Sequence, residues 1–406
     1  MLLQFSVENF KSFKDKAVLS LEASSDKELQ DHVVSVGKER LLKSVALFGA
    51  NAAGKSNIFE ALTAAIVLVR QSNHLQYGAP FVQIVPFRFD ESCAGKPSSF
   101  EFVFFTHGKK YIYGFSATRE RVIEEYLYVY NSSKASVVFE RTNTNDYHFT
   151  SPAIRKKLLP LVEMKTDNKL FLATATAWNA EETRDAYLWF EQMIHICSSD
   201  DEVLLKQTMA MYAQDDDSSL HHFACRLFQE TDTQITDYEI ISKPDTIHEL
   251  SIETIHRIER DGEEQLYRLP LEKESKGVRW LFAFAPVLKK AFETGGVVCI
   301  DDFGAGLHPL LVEYLISLFH NPDVNQANAQ LIVSTQTMLL MSPDVLRRDE
   351  IYFVEKDYRN GESELFSMDA FSKRKGEDYL MSYLHGRFGA IPFIFDAQFS
   401  QLCNYK

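Results

Sequence analysis

Cysteine is scarce in this 406-residue chain: Cys93, Cys197, Cys225, Cys299 and Cys403 are scattered and odd in number. That excludes a disulfide framework and points to a reducing cytoplasm. No apolar run approaches the ~20 residues needed to span a bilayer, so no membrane partner is expected. The opening Met1-Leu2-Leu3-Gln4-Phe5 alternates with polar residues too early to be a secretory signal. Internal repeats, low-complexity tracts and sustained heptads are missing, and with them the long coiled coil of a DNA-tethering protein. Positive charge is also in deficit, with 43 Lys and Arg against 57 Asp and Glu and a net charge of −14. Such a surface opposes unaided, sequence-independent DNA binding. Three local basic clusters, Arg155-Lys156-Lys157, Arg347-Arg348 and Lys373-Arg374-Lys375, read as solvated faces that leave room for a local DNA contact.

What is present is an ordinary globular composition, 45% hydrophobic and 25% charged. The most informative stretch is Gly49-Ala-Asn-Ala-Ala-Gly-Lys-Ser56, which fits the phosphate-loop pattern G-x-x-x-x-G-K-[ST]. Val45 to Phe48 before it reads as a short buried strand. Ile58, Phe59, Leu62, Ile66 and Val69 after it recur at helical spacing. A strand, a glycine loop and a helix N-terminus form an anion cradle, because free backbone N–H groups and the helix dipole both favour negative charge. Lys55 would reach the β- and γ-phosphates, Ser56 would place its hydroxyl on Mg²⁺, and Gly49 and Gly54 allow close backbone approach.

A second half of such a site lies in the C-terminal region. Val297 to Ile300 is an apolar run ending in Asp301-Asp302, the form of a buried strand whose terminal carboxylate holds Mg²⁺. Asp301 is the metal candidate; Asp302 holds the position that orients or deprotonates the attacking water. Pro309 suits the first turn of a helix with Leu311, Leu315, Leu318 and Phe319 on its apolar side. Leu331-Ile332-Val333 then reads as a strand ending at Ser334-Thr335-Gln336, so strand, helix and strand predict a parallel βαβ unit. Upstream, Glu274-Ser275-Lys276-Gly277 precedes a long helix with Leu281, Phe284, Val287, Leu288 and Phe292 on its apolar face. A serine and glycine at a helix start offer a hydroxyl and N–H groups to an anion, or simply an N-cap.

Between these halves, residues 97 to about 149 alternate with period two, and breaks at His107-Gly108 and Asn131-Ser132 predict an antiparallel meander. Residues 1–152 are thus expected to form the N-terminal half of a head and 235–406 its C-terminal half. Residues 153–234, read as helices without strand alternation, form a helical insertion between them. The expected fold class is α/β, a P-loop head with a mixed sheet, an antiparallel β layer and that insertion.

Taken together these residues resemble the ATP-binding-cassette-type ATPases of the SMC and RecF kind. The likeness is greatest to the stand-alone bacterial group linked to phage defence and abortive infection (RloA-like, related to the AriA, PtuA and OLD ATPase modules). Ser6 to Phe13, including Lys11 and Ser12, looks like the nucleotide-flanking turn. Gly49 to Ser56, with Asn51 inside it and Asn57 after it, matches Walker A. Ser275-Lys276-Gly277 looks like the signature, Asp301-Asp302 like Walker B, Ala305 to Pro309 like the D-loop, and Tyr383 to Pro392 like the typical ending. The resemblance implies ATP and Mg²⁺ as ligands. It also implies a homodimer or larger homo-oligomer in which Walker A of one copy and the signature serine of the other hold one ATP.

Two positions depart from the resemblance. The family usually has Glu at Asp302 and a switch histidine at Gln336. A shorter carboxylate, and an amide that carries no proton, predict tight ATP binding with slow hydrolysis. Gln83 is a candidate Mg²⁺-sensing glutamine. His221, His222 and Cys225 suggest a metal, but no complementary Cys or His pair lies at ligand spacing, so structural use is expected. The implied function is an ATPase switch controlling an effector such as a nuclease, docked on the insertion. The alternatives are a RecF- or SMC-like DNA repair ATPase and a nearly inert nucleotide-bound scaffold.

Overall fold

Phe100, Phe102 and Phe104 recur at every second position because they line one face of a strand, Ser98–Thr106, in a seven-stranded antiparallel sheet. The computed structural model describes residues 1–131, 134–231, 233–242, 250–260, 262–374 and 376–392; Ser132, Lys375 and Cys403 lie outside them. The meander continues through Lys109–Ala117, Val122–Tyr130, Ala135–Thr142 and Asp146–His148. The N-terminal strands Leu2–Glu8 and Ala17–Ser20 extend the same sheet on its other side, with Phe5 opposite Phe102. Their buried face shares one hydrophobic cluster with the helix Lys55–Gln71, and Trp189 stacks on Phe104 with ring centroids 4.1 Å apart. Each such fully buried large side chain contributes roughly 1.5–3 kcal/mol. Glu125 ties the meander to the helix Phe171–Ala177. Its buried carboxylate accepts from the backbone N–H groups of Phe171 (2.6 Å) and Leu172 (2.9 Å) and faces buried Arg141.

The second sheet has six strands, in the order Ile194–Cys197, Val297–Ile300, Gln330–Ser334, Ser44–Phe48, Ile351–Lys356 and Ser363–Ser367. All are parallel except the last. Both faces are covered, as a parallel sheet requires. Val45, Leu47, Val297 and Cys299 point into the cluster with the antiparallel sheet, while Ala46, Phe48, Val298 and Ile300 point into a second cluster. That second cluster is built by the helices Lys276–Thr294 and Pro309–His320.

The stretch read as purely helical does carry five α-helices, Pro152–Val162, Phe171–Ala177, Glu181–Leu188, Asp201–Ala213 and Ser219–Glu230. It also carries the edge strand Ile194–Cys197 of the six-stranded sheet. Four residues between helices are too few to display an alternation, so the strand exists through its partner Val297–Ile300 alone. The helices before it pack with Lys55–Gln71; those after it pack on Lys276–Thr294, where the Tyr212 hydroxyl donates to the Phe282 carbonyl at 2.5 Å. Trp189 and Trp280 are buried, whereas Trp178 is exposed.

Arg347 and Arg348, read as a solvated basic face, are instead buried and paired with Asp349 and Glu377. Beside them Glu350 is fully buried and accepts from His32 Nδ1 (2.8 Å), the Ser44 hydroxyl (2.8 Å) and the backbone N–H of Arg347 (2.8 Å). The rings of His32 and His320 stack with centroids 3.4 Å apart. Gln330 joins the two sheets: its amide accepts from Leu2 N and donates to the carbonyls of Leu2 and Leu42. A third sheet, Ile235–Ser242, Leu250–Arg260 and Glu263–Pro270, is antiparallel and leads into the helix Lys276–Thr294. Among the described residues no helix is long and apolar enough to cross a membrane.

Candidate functional site

The parallel order of three strands decides what meets at the sheet edge. Ser44–Phe48, Gln330–Ser334 and Val297–Ile300 are neighbours and run the same way, so their C-terminal ends release Gly49, Thr335 and Asp301 side by side. Ligands of open α/β sheets bind outside such carboxyl ends. The loop Gly49–Gly54 then opens the helix Lys55–Gln71, with no side-chain cap at its N-terminus.

Two glycines shape this loop. Gly49 has φ +151°, and an added Cβ would run into the Val354 carbonyl. Gly54 has φ +116°, and an added Cβ would sit 2.6 Å from Ser363 Oγ and 2.8 Å from Ser12 Oγ. Both hydroxyls are themselves committed. Ser363 donates to the Ala53 carbonyl (2.6 Å), and Ser12 accepts from Asn57 Nδ2 (2.6 Å). Gly54→Ala is therefore expected to displace the loop and to weaken nucleotide binding at least 10-fold, read by calorimetric titration. Unchanged affinity would show that the close approach does not matter.

The Lys55 ammonium donates to the carbonyls of Gly49 (2.8 Å) and Ala50 (3.1 Å). Burial pulls its pKa below the ordinary lysine value, while Asp301 and Asp302 push the other way. Ser56 is exposed at the first helical turn. Ser334 ties the acids: its hydroxyl donates to Asp301 Oδ1 (2.5 Å) and accepts from the backbone N–H of Asp302 (2.8 Å). Asp302 is exposed and has φ +55°, a left-handed conformation that Asp tolerates better than most side chains. Gln336 reaches across the mouth of the loop, donating from Nε2 to Asn51 Oδ1 at 3.0 Å.

Sequence reading missed three supports of this loop. Ser334 and Ser363 bear no local motif; Ser334 acts on acids some thirty positions before it and Ser363 on a carbonyl 310 positions before it. The third is the C-terminal segment, recognised by resemblance but without a role. The Ala390 carbonyl accepts from Ala50 N at 2.9 Å, and Ala390 N donates to Glu355 at 3.0 Å. An open cleft of about 450 Å³ lies between the loop and this segment, lined by Asn51, Gln336, Tyr358, Tyr383 and Ile391 among others.

The donor set fits a triphosphate with a divalent cation: helix-start N–H groups, one ammonium, a serine hydroxyl and paired carboxylates. Lys11 and Ser275 bond elsewhere. Lys11 pairs with Glu60 on the outer face of the helix Lys55–Gln71. Ser275 is exposed and caps its own helix, accepting from Val278 N at 3.3 Å. Gly277 abuts the segment Ala305 to Pro309, where an added Cβ would meet Leu307 at 3.2 Å. Gln83 is half-buried.

Residues 44–342 match the family model described as "AAA domain, putative AbiEii toxin, Type IV TA system". No curated protein matches the chain. Among solved structures it is similar to the SMC head domain from Thermotoga maritima, at 15% identity over 90% of this chain and 98% of that one, with a TM-score of 0.41. It is similar to the Smc head domain with an extended coiled coil bound to the C-terminal domain of ScpA, derived from Pyrococcus furiosus. There the identity is 15%, over 90% and 96% of the two chains, with a TM-score of 0.41. A third is cbiO1 from Clostridium perfringens, part of the ABC transporter complex cbiONQ, at 11% identity over 91% and 90%, with a TM-score of 0.31.

Proposed function

We propose a function from one premise: the chain belongs to the family of AAA domains described as putative AbiEii toxins of type IV toxin–antitoxin systems. On that premise it is an ATP-binding switch that hydrolyses ATP slowly, closes on a second copy of itself around the nucleotide, and controls a partner effector, such as a nuclease, in bacterial defence against phage. The observation that carries this reading is the meeting of Lys55, Asp301, Asp302 and Gln336 at one sheet edge, while exposed Ser275, among the described residues, bonds within its own helix. A serine at a helix N-terminus, free to face an anion, suits the far side of a nucleotide held by another copy.

Each residue then has a task. Lys55 turns from the carbonyls of Gly49 and Ala50 to the β- and γ-phosphates. Ser56 and Asp301 would hold Mg²⁺, which supplies charge neutralisation of the phosphates when bound. Asp302 accepts the proton of the attacking water as its oxygen bonds to the γ-phosphorus and the bond to ADP breaks. Gln336 leaves Asn51 and donates to a γ-phosphate oxygen without exchanging a proton.

Asp302 is the slow element. Its carboxylate is one methylene shorter than that of glutamate, and a misplacement of about 1 Å costs on the order of 100-fold in rate. Asp302→Glu is expected to raise ATP turnover by about 10- to 100-fold while lowering stability slightly, because the left-handed backbone there suits Asp better. No acceleration in a phosphate-release assay removes the misplaced-carboxylate account. Particle mass with ATP against ADP tests the clamp: an ATP-saturated monomer rejects it. Co-purification from the native host tests the effector. Turnover stimulated by duplex DNA with a steep salt dependence would instead favour a repair ATPase.

A further inference from the structure

His221 and Cys225 stand about one turn apart on the helix Ser219–Glu230, so their side chains leave the same face. Packing brings Asp237, on the strand Ile235–Ser242, against that face. His221 Nε2 lies 2.6 Å from Asp237 Oδ1, and Cys225 Sγ lies 3.6 Å from the same oxygen. The three ligand atoms all fall within 4.8 Å of one another, and all three residues are half-buried, within reach of solvent ions. The sequence offers no second Cys or His pair; the missing ligand is a carboxylate that only the fold delivers.

We infer that His221, Cys225 and Asp237 bind a divalent transition metal of the zinc class, with water completing a tetrahedral set. Zn–S bonds of about 2.3 Å and Zn–N and Zn–O bonds of about 2.0–2.1 Å place tetrahedral S and O ligands roughly 3.5 Å apart, and N and O roughly 3.3 Å apart. The sulfur–oxygen separation already has that length. The nitrogen–oxygen separation is that of a hydrogen bond and widens by under ~1 Å when metal replaces the shared proton. Without metal, burial and then Asp237 push the Cys225 thiol up to about 12. Loading therefore sends the thiol proton to solvent, and affinity rises with pH. A thiolate ligand also separates this site from the oxygen ligands Ser56 and Asp301, since sulfur selects zinc-like ions over Mg²⁺.

Among the described residues a second trio of side chains of ligating type, His32, His320 and Glu350, makes an instructive contrast. Its imidazole planes are 17° from parallel, with centroids 3.4 Å apart. A metal lies close to the plane of each imidazole it binds, and two stacked planes offer no common point. That trio is held as a buried hydrogen-bond and ion-pair network; the surface trio has no such stacked pair of ligand rings.

The metal would clip the helix Ser219–Glu230 to the three-stranded sheet. The middle strand of that sheet holds Glu274, through Thr254 (2.5 Å) and His256 (2.7 Å), directly before Ser275. Loading would stiffen the lobe that presents the signature serine.

The test uses the full chain, stripped with chelator and titrated with Co²⁺. One equivalent is expected to bind with a sulfur-to-cobalt charge-transfer band, to be displaced by Zn²⁺, and to raise the melting midpoint. Cys225→Ser should lose the band, and His221→Gln and Asp237→Asn should each weaken binding at least 10-fold. A wild-type chain without the band, or a Cys225→Ser chain that keeps it, overturns the site. The wild-type spectrum alone suffices should a variant fail to fold.

Discussion

Lys55→Ala is expected to reduce nucleotide affinity and turnover by on the order of 100- to 1,000-fold, while leaving the fold nearly untouched. The two halves of that result have separate causes. The lysine is the only side-chain cation within the Gly49–Ser56 loop, and removing one preorganised donor from a phosphate or oxyanion site costs about that factor. Its present bonds are to the carbonyls of Gly49 and Ala50 at a half-buried position, so their loss costs about 1 kcal/mol or less. Fluorescent-nucleotide binding, with urea denaturation alongside, separates the two. Retained affinity would mean that the loop holds phosphate by backbone groups alone. A collapsed fold would mean that Lys55 is a structural strut.

Glu350→Ala is expected to destabilise the chain by about 3–5 kcal/mol, the cost of breaking a buried charged network by removing one partner. It strands His32 Nδ1 and the Arg347 N–H at the base of the parallel sheet and leaves the Ser44 hydroxyl with His320 alone. Against a typical total stability of about 5–15 kcal/mol, that is a large share. The same network sets a pH dependence. Burial alone would raise Glu350, but His320 and His32 beside it hold it down to about 2. A carboxylate depressed in the folded state stabilises above its unfolded pKa of about 4.3, and that contribution fades as pH falls toward 2. Burial also pulls His320 below the ordinary histidine value, so its share is present above about pH 6.5 and is lost on acidification. Both act in one direction. Stability should fall from pH 7 to pH 4 by up to about 1.4 kcal/mol per pH unit for each proton taken up. His195, pushed down to about 4 by burial, adds to the same slope, so the decisive comparison is between wild type and Glu350→Ala. Equal slopes in urea titrations would place the acid sensitivity elsewhere.

Much of the candidate site at the sheet edge was legible in the sequence because its signals are local. Gly49 to Ser56 announces a phosphate loop within eight positions. The periods of the helices Lys55–Gln71 and Lys276–Thr294 fall where the apolar residues put them. Asp301 and Asp302 end an apolar run that reads as a buried strand, and Val297–Ile300 is one. The features that eluded sequence reading are pairings between separate elements, from a dozen to hundreds of positions apart: Asp237 beside Cys225, Ser334 on Asp301 and Asp302, Ser363 behind Gly54, Ala390 on Ala50.

By itself, then, the sequence determined the identity of the phosphate loop, the acid strand, the antiparallel meander and most helices, since each is written in a period of 2 or 3.6 or in a short motif. Tertiary structure alone decided the edge strand Ile194–Cys197, the burial of Arg347 and Arg348, and the hydroxyls and carboxylates that hold the site's geometry. Those depend on which strands lie side by side, and a hydrogen bond closed across hundreds of residues leaves no periodic trace in the chain that makes it.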